Sequence, residues 1–354
     1  MRLIHHFFVI AILFCANITT VTGQGDTTIN DGQKKFNDSA YFTRYDTLLH
    51  LSSWISKNQM EYKLVYDNDL RLVLAPNSLS SLSFGFSYRY LELGIGFSPH
   101  FLNADQGKKK TGESQIFTFR TSFSMHRFNL GIDLSSVKGF YLKNSQELKA
   151  SLPDTPYLLF PDLRVGYFSM LLRYNVNPRF STAALTGGTQ VQRRSAYTFL
   201  PSFQFAIFKF NNESKTTGLT TESTYSTDLN FLFPLAGTLV ITPKLSATMG
   251  FGPSFGVDFF KTISRNDSNK IVIASGTKLI SGFSFQTAIT FNSGRLFSGI
   301  ESRYRNYGHK IEDISRLIKE YSYFQLYVGW RLRPPRFMKK SLDWGNKISP
   351  VDLD

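Results

Sequence analysis

Cysteine is nearly missing from this chain: Cys15 is the only one among 354 residues. Everything after it therefore lacks a disulfide, a thiolate metal ligand and a cysteine nucleophile. That excludes a small disulfide-stapled secreted domain. Long apolar runs are missing too. The one candidate, Leu3 to Phe14, is roughly a dozen residues, against the ~20 that a membrane helix needs. Arg2 precedes it, and the small residues Val21, Thr22 and Gly23 follow. This reads as a Sec-type signal peptide over residues 1–23, cleaved before Gln24. Phe14 is too bulky for a lipid-attachment site before Cys15. Acidic residues are outnumbered, 26 Asp and Glu against 40 Lys and Arg, for a net charge of +14. In an exported chain that excess implies no nucleic acid. It suits anionic lipid or a small anionic solute.

Catalytic signatures are sparse. The histidines beyond the signal, His50, His100, His126 and His309, sit in no GxSxG setting and read as surface residues. No His, Asp or Glu cluster has metal-ligand spacing. The expectation is a passive channel, a transport-associated protein or a surface-binding protein, with no catalytic, metal or cofactor site. A lipid- or envelope-modifying enzyme stays open as the alternative. Gly250, Gly252 and Gly256 in "LSATMGFGPSFGVDF" (Leu245 to Phe259) imitate a phosphate loop. Such a loop needs a helix to begin there, with backbone N–H groups aimed at phosphate. Instead, apolar and small residues alternate straight through the glycines, as in a strand. Pro253 interrupts this pattern, which predicts a bulge or rim position.

Alternation is what the chain has in abundance. Leu82, Phe84 and Phe86 oppose Ser81, Ser83 and Gly85; Leu91, Leu93, Ile95 and Phe97 follow after a very tight turn. Phe117, Phe119 and Phe123 oppose Thr118, Arg120 and Ser122, and Phe324, Leu326, Val328 and Trp330 oppose Tyr323, Gln325, Tyr327 and Gly329. The strands run about 10 to 14 residues, the length of a tilted membrane strand rather than the 5 or 6 usual in globular sheets. Short turns at Arg89-Tyr90, His126-Arg127, Asn175 to Pro178, Thr242 to Lys244 and Asn292 to Arg295 alternate with longer polar segments. Those segments are His100 to Glu113, Gly139 to Asp162, Asn211 to Ser226, Lys261 to Gly276 and Asn306 to Lys319. Aromatics near the short turns, Tyr88, Tyr90, Phe128, Tyr174, Phe180, Phe291 and Phe297, suggest an interfacial girdle.

This predicts an all-β, antiparallel, up-and-down transmembrane β-barrel with short periplasmic turns and long extracellular loops. A secreted soluble β-sandwich is the third reading, since it alternates in the same way. The turn pattern gives about 12 strands, with about 14 as runner-up, depending on whether Phe180 to Phe210 crosses once. The chain divides into a polar N-terminal periplasmic segment (24–59, with one helical turn near Leu48 to Trp54), the barrel (60–332) and a basic C-terminal tail (333–354). By phase, Arg120, Asp133, Asp258, Glu301, Arg303 and Arg305 face the lumen, and Arg164 and Arg173 lie on a strand of uncertain phase. They either select solutes by charge or pair to satisfy one another. Gln190, Gln192, Arg193, Arg194 and Ser195 form a dense polar run, read as a constriction, a partner-binding bulge or an ordinary loop. Lys108, Lys109 and Lys110 suit lipopolysaccharide phosphates or a solvated loop. Outer-membrane lipid and, during biogenesis, barrel-assembly machinery are the remaining expected partners of a monomer.

Several segments occur in a familiar order: "LVLAPNS" (Leu72 to Ser78), "FGFSYRYLELGIGF", "GFYLKN" (Gly139 to Asn144), "NPRFS" (Asn177 to Ser181), "QVQRRSA" (Gln190 to Ala196) and "YVGWRLRPP" (Tyr327 to Pro335). The ordered set resembles a Bacteroidota family catalogued as domain of unknown function 4421, over roughly Asp46 to Pro335. Tyr197-Thr198 departs from the Gly-Ser that often follows Ser-Ala in that family. The resemblance implies an outer-membrane barrel; it carries over no activity and no site.

Overall fold

The computed structural model describes residues 41–66, 71–77, 80–103, 111–148, 157–186, 189–212, 223–265, 271–311 and 315–348. Residues 1–23, the expected signal peptide, and Lys108 to Lys110 lie outside the described residues. The first strands are β1 (Phe42–Arg44), β2 (Leu49–Tyr66), β3 (Arg71–Ala75), β4 (Ser80–Tyr88), β5 (Leu91–Phe97) and β6 (Gln115–Met125). Next come β7 (Phe128–Leu142), β8 (Leu159–Tyr174), β9 (Gln190–Gln192), β10 (Ala196–Phe199), β11 (Ser202–Asn212) and β12 (Ser223–Leu232). The last are β13 (Leu235–Thr242), β14 (Leu245–Arg265), β15 (Ile271–Asn292), β16 (Leu296–Ile311) and β17 (Ser315–Leu332), followed by a helix, Arg336–Ile348.

Twelve of these strands close a ring in the order β2, β4, β5, β6, β7, β8, β11, β12, β14, β15, β16, β17, and β17 returns to β2. Every neighbour in the ring is antiparallel. Closure satisfies each backbone polar group within the sheet, which lipid requires. This is a transmembrane β-barrel of twelve strands; residues 196–212 supply a single crossing. At one end the two-residue turns Arg89-Tyr90 and His126-Arg127 place Arg89 (φ 55°) and His126 (φ 47°) in the left-handed region, which tight hairpin turns demand. We call this the turn end and the opposite one the loop end.

Side-chain phase sets two environments. Phe84, Ile95, Phe117, Met249, Phe251, Phe255, Phe283, Ile289, Phe324 and Leu326 are exposed on the outer face. Ser81, Ser83, Gln204, Asp228, Asp258, Glu301 and Gln325 are buried on the inner one. Apolar out and polar in is the arrangement a lipid-embedded barrel needs.

Four expectations are corrected. The first barrel strand begins at Leu49, not at residue 60, and Leu48 to Trp54 is strand instead of helical turn. Serines on its inner face face a polar lumen, so the apolar signal is one-sided and weak. The supposed loops Lys261 to Gly276 and Asn306 to Lys319 are mostly strand, in β14 to β17. Beyond the lipid both faces of a strand meet polar surroundings, so pairing continues there without hydrophobic alternation. Pro253 sits mid-strand in register with Phe283, in neither a bulge of that ladder nor a rim. Its carbonyl accepts from Phe233 N–H at 3.0 Å. The N and C=O of one strand residue share an edge, so the missing donor faces the break between β12 and β13 at Phe233-Pro234. Finally, Tyr88, Phe180 and Phe297 leave the aromatic girdle: they are 2%, 1% and 3% exposed, and Phe297 lies over Gly329 inside the ring.

Glycine makes room in the lumen where large side chains cross it. A Cβ on Gly85 would stand 2.7 Å from the Trp54 ring. At Gly256 a Cβ would collide with the Leu229 carbonyl and the Asn230 side chain of β12. The imitation phosphate loop is thus a lumen-facing surface cut down so that neighbours fit.

Candidate lumen site

Two layers of packed side chains divide the lumen. Toward the loop end, Met60, Tyr62, Ile116, Val137, Phe140, Leu163 and Val165 form one buried apolar cluster. Ala206, Phe208, Ile280 and Tyr307 form a second. Phe210 packs against both, and Tyr62 meets it edge-on at 4.3 Å between ring centroids. The strands contributing to these clusters come from opposite arcs of the ring, so the clusters bridge the lumen.

At the turn end the chain itself forms the plug. After β8 it turns at Asn175, makes a helical turn at Ala183–Thr186, and pairs β9 antiparallel with β1. Phe180 packs with Leu200 and Ala236. Gln192, 3% exposed, accepts from Ser181 N–H at 2.9 Å and donates to the carbonyls of Arg179 (2.8 Å), Arg194 (3.0 Å) and Tyr41 (3.3 Å). Gln190 accepts from Ser181 Oγ at 2.7 Å. Arg193 donates to Thr43 Oγ1, the Pro243 carbonyl and Tyr45 Oη at 2.9, 2.8 and 3.0 Å. Arg194 lies over the Tyr41 ring, and Ser195 Oγ accepts from Val240 N–H. These five residues therefore knit the plug at the turn end; they are not in a loop at the other rim. Arg331 stacks on Tyr45 and Phe297 and donates to Asn292 Oδ1 at 2.9 Å. His50 is fully buried against Tyr45 O, not on the surface as expected.

Between plug and apolar layers lies a cavity of about 170 Å³. Among its lining residues are Arg120, Arg173, Arg303, Arg305 and Lys319, with Asp133 and Glu320. Arg120 pairs with Asp133 at 2.7 Å. Arg303 pairs with Glu301, whose oxygens also accept from Gln286 (3.0 Å) and Gln325 (2.5 Å). Tyr323 accepts cation–π contacts from Arg120 and Arg303 at 5.2 and 5.8 Å. Arg173 donates to Asn129 Oδ1 at 2.8 Å and meets no carboxylate in an ion pair among the described residues. Arg305 lines the cavity with no hydrogen bond or ion pair among the described residues. Of the two arginines of β8, Arg173 faces inward and Arg164 is exposed outside.

Asp258 belongs to a separate cluster. It stands opposite Asp228 across the β12–β14 ladder, and Lys319 reaches over from β17. Lys319 Nζ donates to Ser226 Oγ at 2.7 Å, to both Asp228 oxygens at 3.1 Å and to Asp258 Oδ2 at 3.4 Å. Ser226 in turn donates to Asp258 Oδ1 at 2.7 Å. The Ser226–Lys319 spacing resembles a nucleophile–base pair, but an ammonium surrounded by these acceptors keeps no lone pair for a base. Sequence reading missed Lys319 because it fell in a supposed loop. Its signal was its inward phase with Tyr321 and Tyr323. Among the described residues there is no group of three or more metal-binding side chains.

Residues 36–332 match the family model described as Domain of unknown function (DUF4421). The chain belongs to this family. No curated protein matches it. Among solved structures, the outer-membrane protease OmpT from Escherichia coli is similar at 8% identity and TM-score 0.38, with 82% of this chain and 98% of that one covered. The translocator domain of the autotransporter NalP from Neisseria meningitidis gives 8% identity and TM-score 0.29, over 81% and 89% of the two chains. The toluene transporter TodX from Pseudomonas putida gives 8% identity and TM-score 0.26, over 81% and 90%. At these identities and scores neither an activity nor a ligand is transferred to the DUF4421 barrel.

Proposed function

We propose that this protein is an outer-membrane barrel that holds a small anionic solute in a closed lumen, in contrast to an open diffusion pore. An even strand number, an apolar outer belt and tight hairpin turns at one end support the outer membrane, with the turn end in the periplasm. The observation that carries the solute reading is the cavity wall. Arg173 and Arg305 face one cavity with no carboxylate bonded to either among the described residues. Guanidinium groups present forked donors matched to carboxylate, phosphate or sulfate. Asp133 and Glu301 are ion-paired to Arg120 and Arg303, so an oxyanion in the cavity supplies a counter-charge to Arg173 and Arg305. The turn-end plug is the element that must move to admit the solute.

The test is thermal unfolding of the purified barrel in phosphate or sulfate against chloride at matched ionic strength. A ligand that binds the folded state raises the midpoint. The wild type is expected to shift upward, Arg305→Gln to lose the shift, and Lys244→Gln, at an exposed turn, to keep it. No shift in the wild type, or an equal shift in Arg305→Gln, overturns the proposal.

A further inference from the structure

The helix Arg336–Ile348 follows the last barrel strand at the turn end. It is tied back to the rim by one ion pair, Asp343 to Arg89 at 2.6 Å, in the β4–β5 turn. The rim order is β17, β2, β4, so a helix leaving β17 and touching the β4 turn by its eighth residue runs along the rim. Phe337 and Trp344, seven residues apart, share one helical face. They are 69% and 65% exposed, so nothing among the described residues covers them. Lys339 projects from the other side, and Arg336 and Lys340 flank the aromatic pair; all three are exposed. The outward residues just before the helix, Trp330 and Leu332, are 50% and 46% exposed on the lipid face of β17.

We infer that this helix is an interfacial element that lies on the membrane at the turn rim, with Phe337 and Trp344 in the lipid and its cations among anionic headgroups. Two observations select lipid as the occupant. The exposed aromatic residues follow the lipid-facing end of β17 after a connection of three residues. The flanking cations complement anionic phospholipid, the chemistry of an amphipathic surface helix. Trp prefers this depth, with its ring in the acyl boundary and its N–H in the headgroups.

Cys15 is the chain's only cysteine, so with Cys15→Ser in the background single-cysteine probes are clean. Phe337→Cys, Trp344→Cys and Lys339→Cys are made in the full chain, spin-labelled, and reconstituted in vesicles of phosphatidylethanolamine with phosphatidylglycerol. Heat-modifiable gel migration checks that each barrel is folded. Labels at 337 and 344 are expected to collide severalfold more with oxygen than with a water-soluble nickel complex, and the label at 339 to show the reverse. Equal nickel access at all three positions overturns the inference; it would leave the aromatic face to a periplasmic protein. The same oxygen preference in pure phosphatidylcholine would overturn the role given to the cations.

Discussion

Replacing Lys319 by Met is the sharpest perturbation the lumen offers. Lys319 is 5% exposed, and Asp228 and Asp258 are 0% and 1% exposed. At 3.1 Å and an effective dielectric of ~20, one such pair attracts by roughly 5 kcal/mol before desolvation is subtracted. Removing the cation leaves two carboxylates facing each other across one ladder, with Ser226 Oγ between them. Breaking a buried pair from one side typically costs about 3–5 kcal/mol, because the remaining charge stays buried. Lys319→Met should therefore lower the unfolding free energy by that amount, read from urea titration in lipid vesicles. Asp228→Asn combined with Lys319→Met removes one of the stranded charges and should recover at least about 1 kcal/mol of the loss, the coupling expected of contacting residues. If Lys319→Met unfolds within about 1 kcal/mol of wild type, or the double variant is no better, the cluster is not the ion-paired strut described above.

Other consequences follow from the same packing. Gly256→Ala forces a methyl group against the Leu229 carbonyl and should destabilise by about 1–3 kcal/mol, measured by the temperature at which the folded gel band disappears. Gln192→Ala removes the acceptor of the Ser181 N–H and a donor to the Arg179 and Arg194 carbonyls, whereas the Tyr41 carbonyl keeps the N–H groups of Arg193 and Arg194; a buried group left unsatisfied costs about 1–3 kcal/mol. It should loosen the plug, read as faster hydrogen–deuterium exchange over residues 179–195. Leu326→Arg, at a lipid-facing site mid-strand, should cost about 2–4 kcal/mol in urea titration, whereas Gly299-flanking Ser298→Arg near the rim should cost less.

The barrel was legible because period-2 alternation survives wherever one face meets lipid and the other meets a polar lumen. Phe324, Leu326, Val328 and Trp330 on β17 give both strand and phase. The same rule gave the inward phase of Arg120, Asp133, Asp258, Glu301, Arg303 and Arg305. It failed where that contrast disappears. Strand residues such as Lys319 lie where both faces carry polar groups, and Leu49 to Asn58 carries serines toward the lumen. Pairing across the lumen was beyond reach: Lys319 and Asp228 are 91 residues apart, and no local pattern joins them. The plug was half legible. Its excess length between Phe180 and Phe210 raised the possibility of an inward fold, but the partner strand β1 lies about 150 residues upstream of Arg193, and Gln192 acts through backbone groups that carry no sequence signal.

The closed lumen is tested most directly by single-channel recording of the purified wild-type barrel in planar bilayers. The layered packing predicts no steady ohmic conductance in wild type, nor once residues 183–192 of the turn-end plug are removed, and steady openings only when that deletion is combined with Phe208→Ala and Phe210→Ala in the apolar clusters that bridge the lumen. A stable open pore in the wild type would contradict the account.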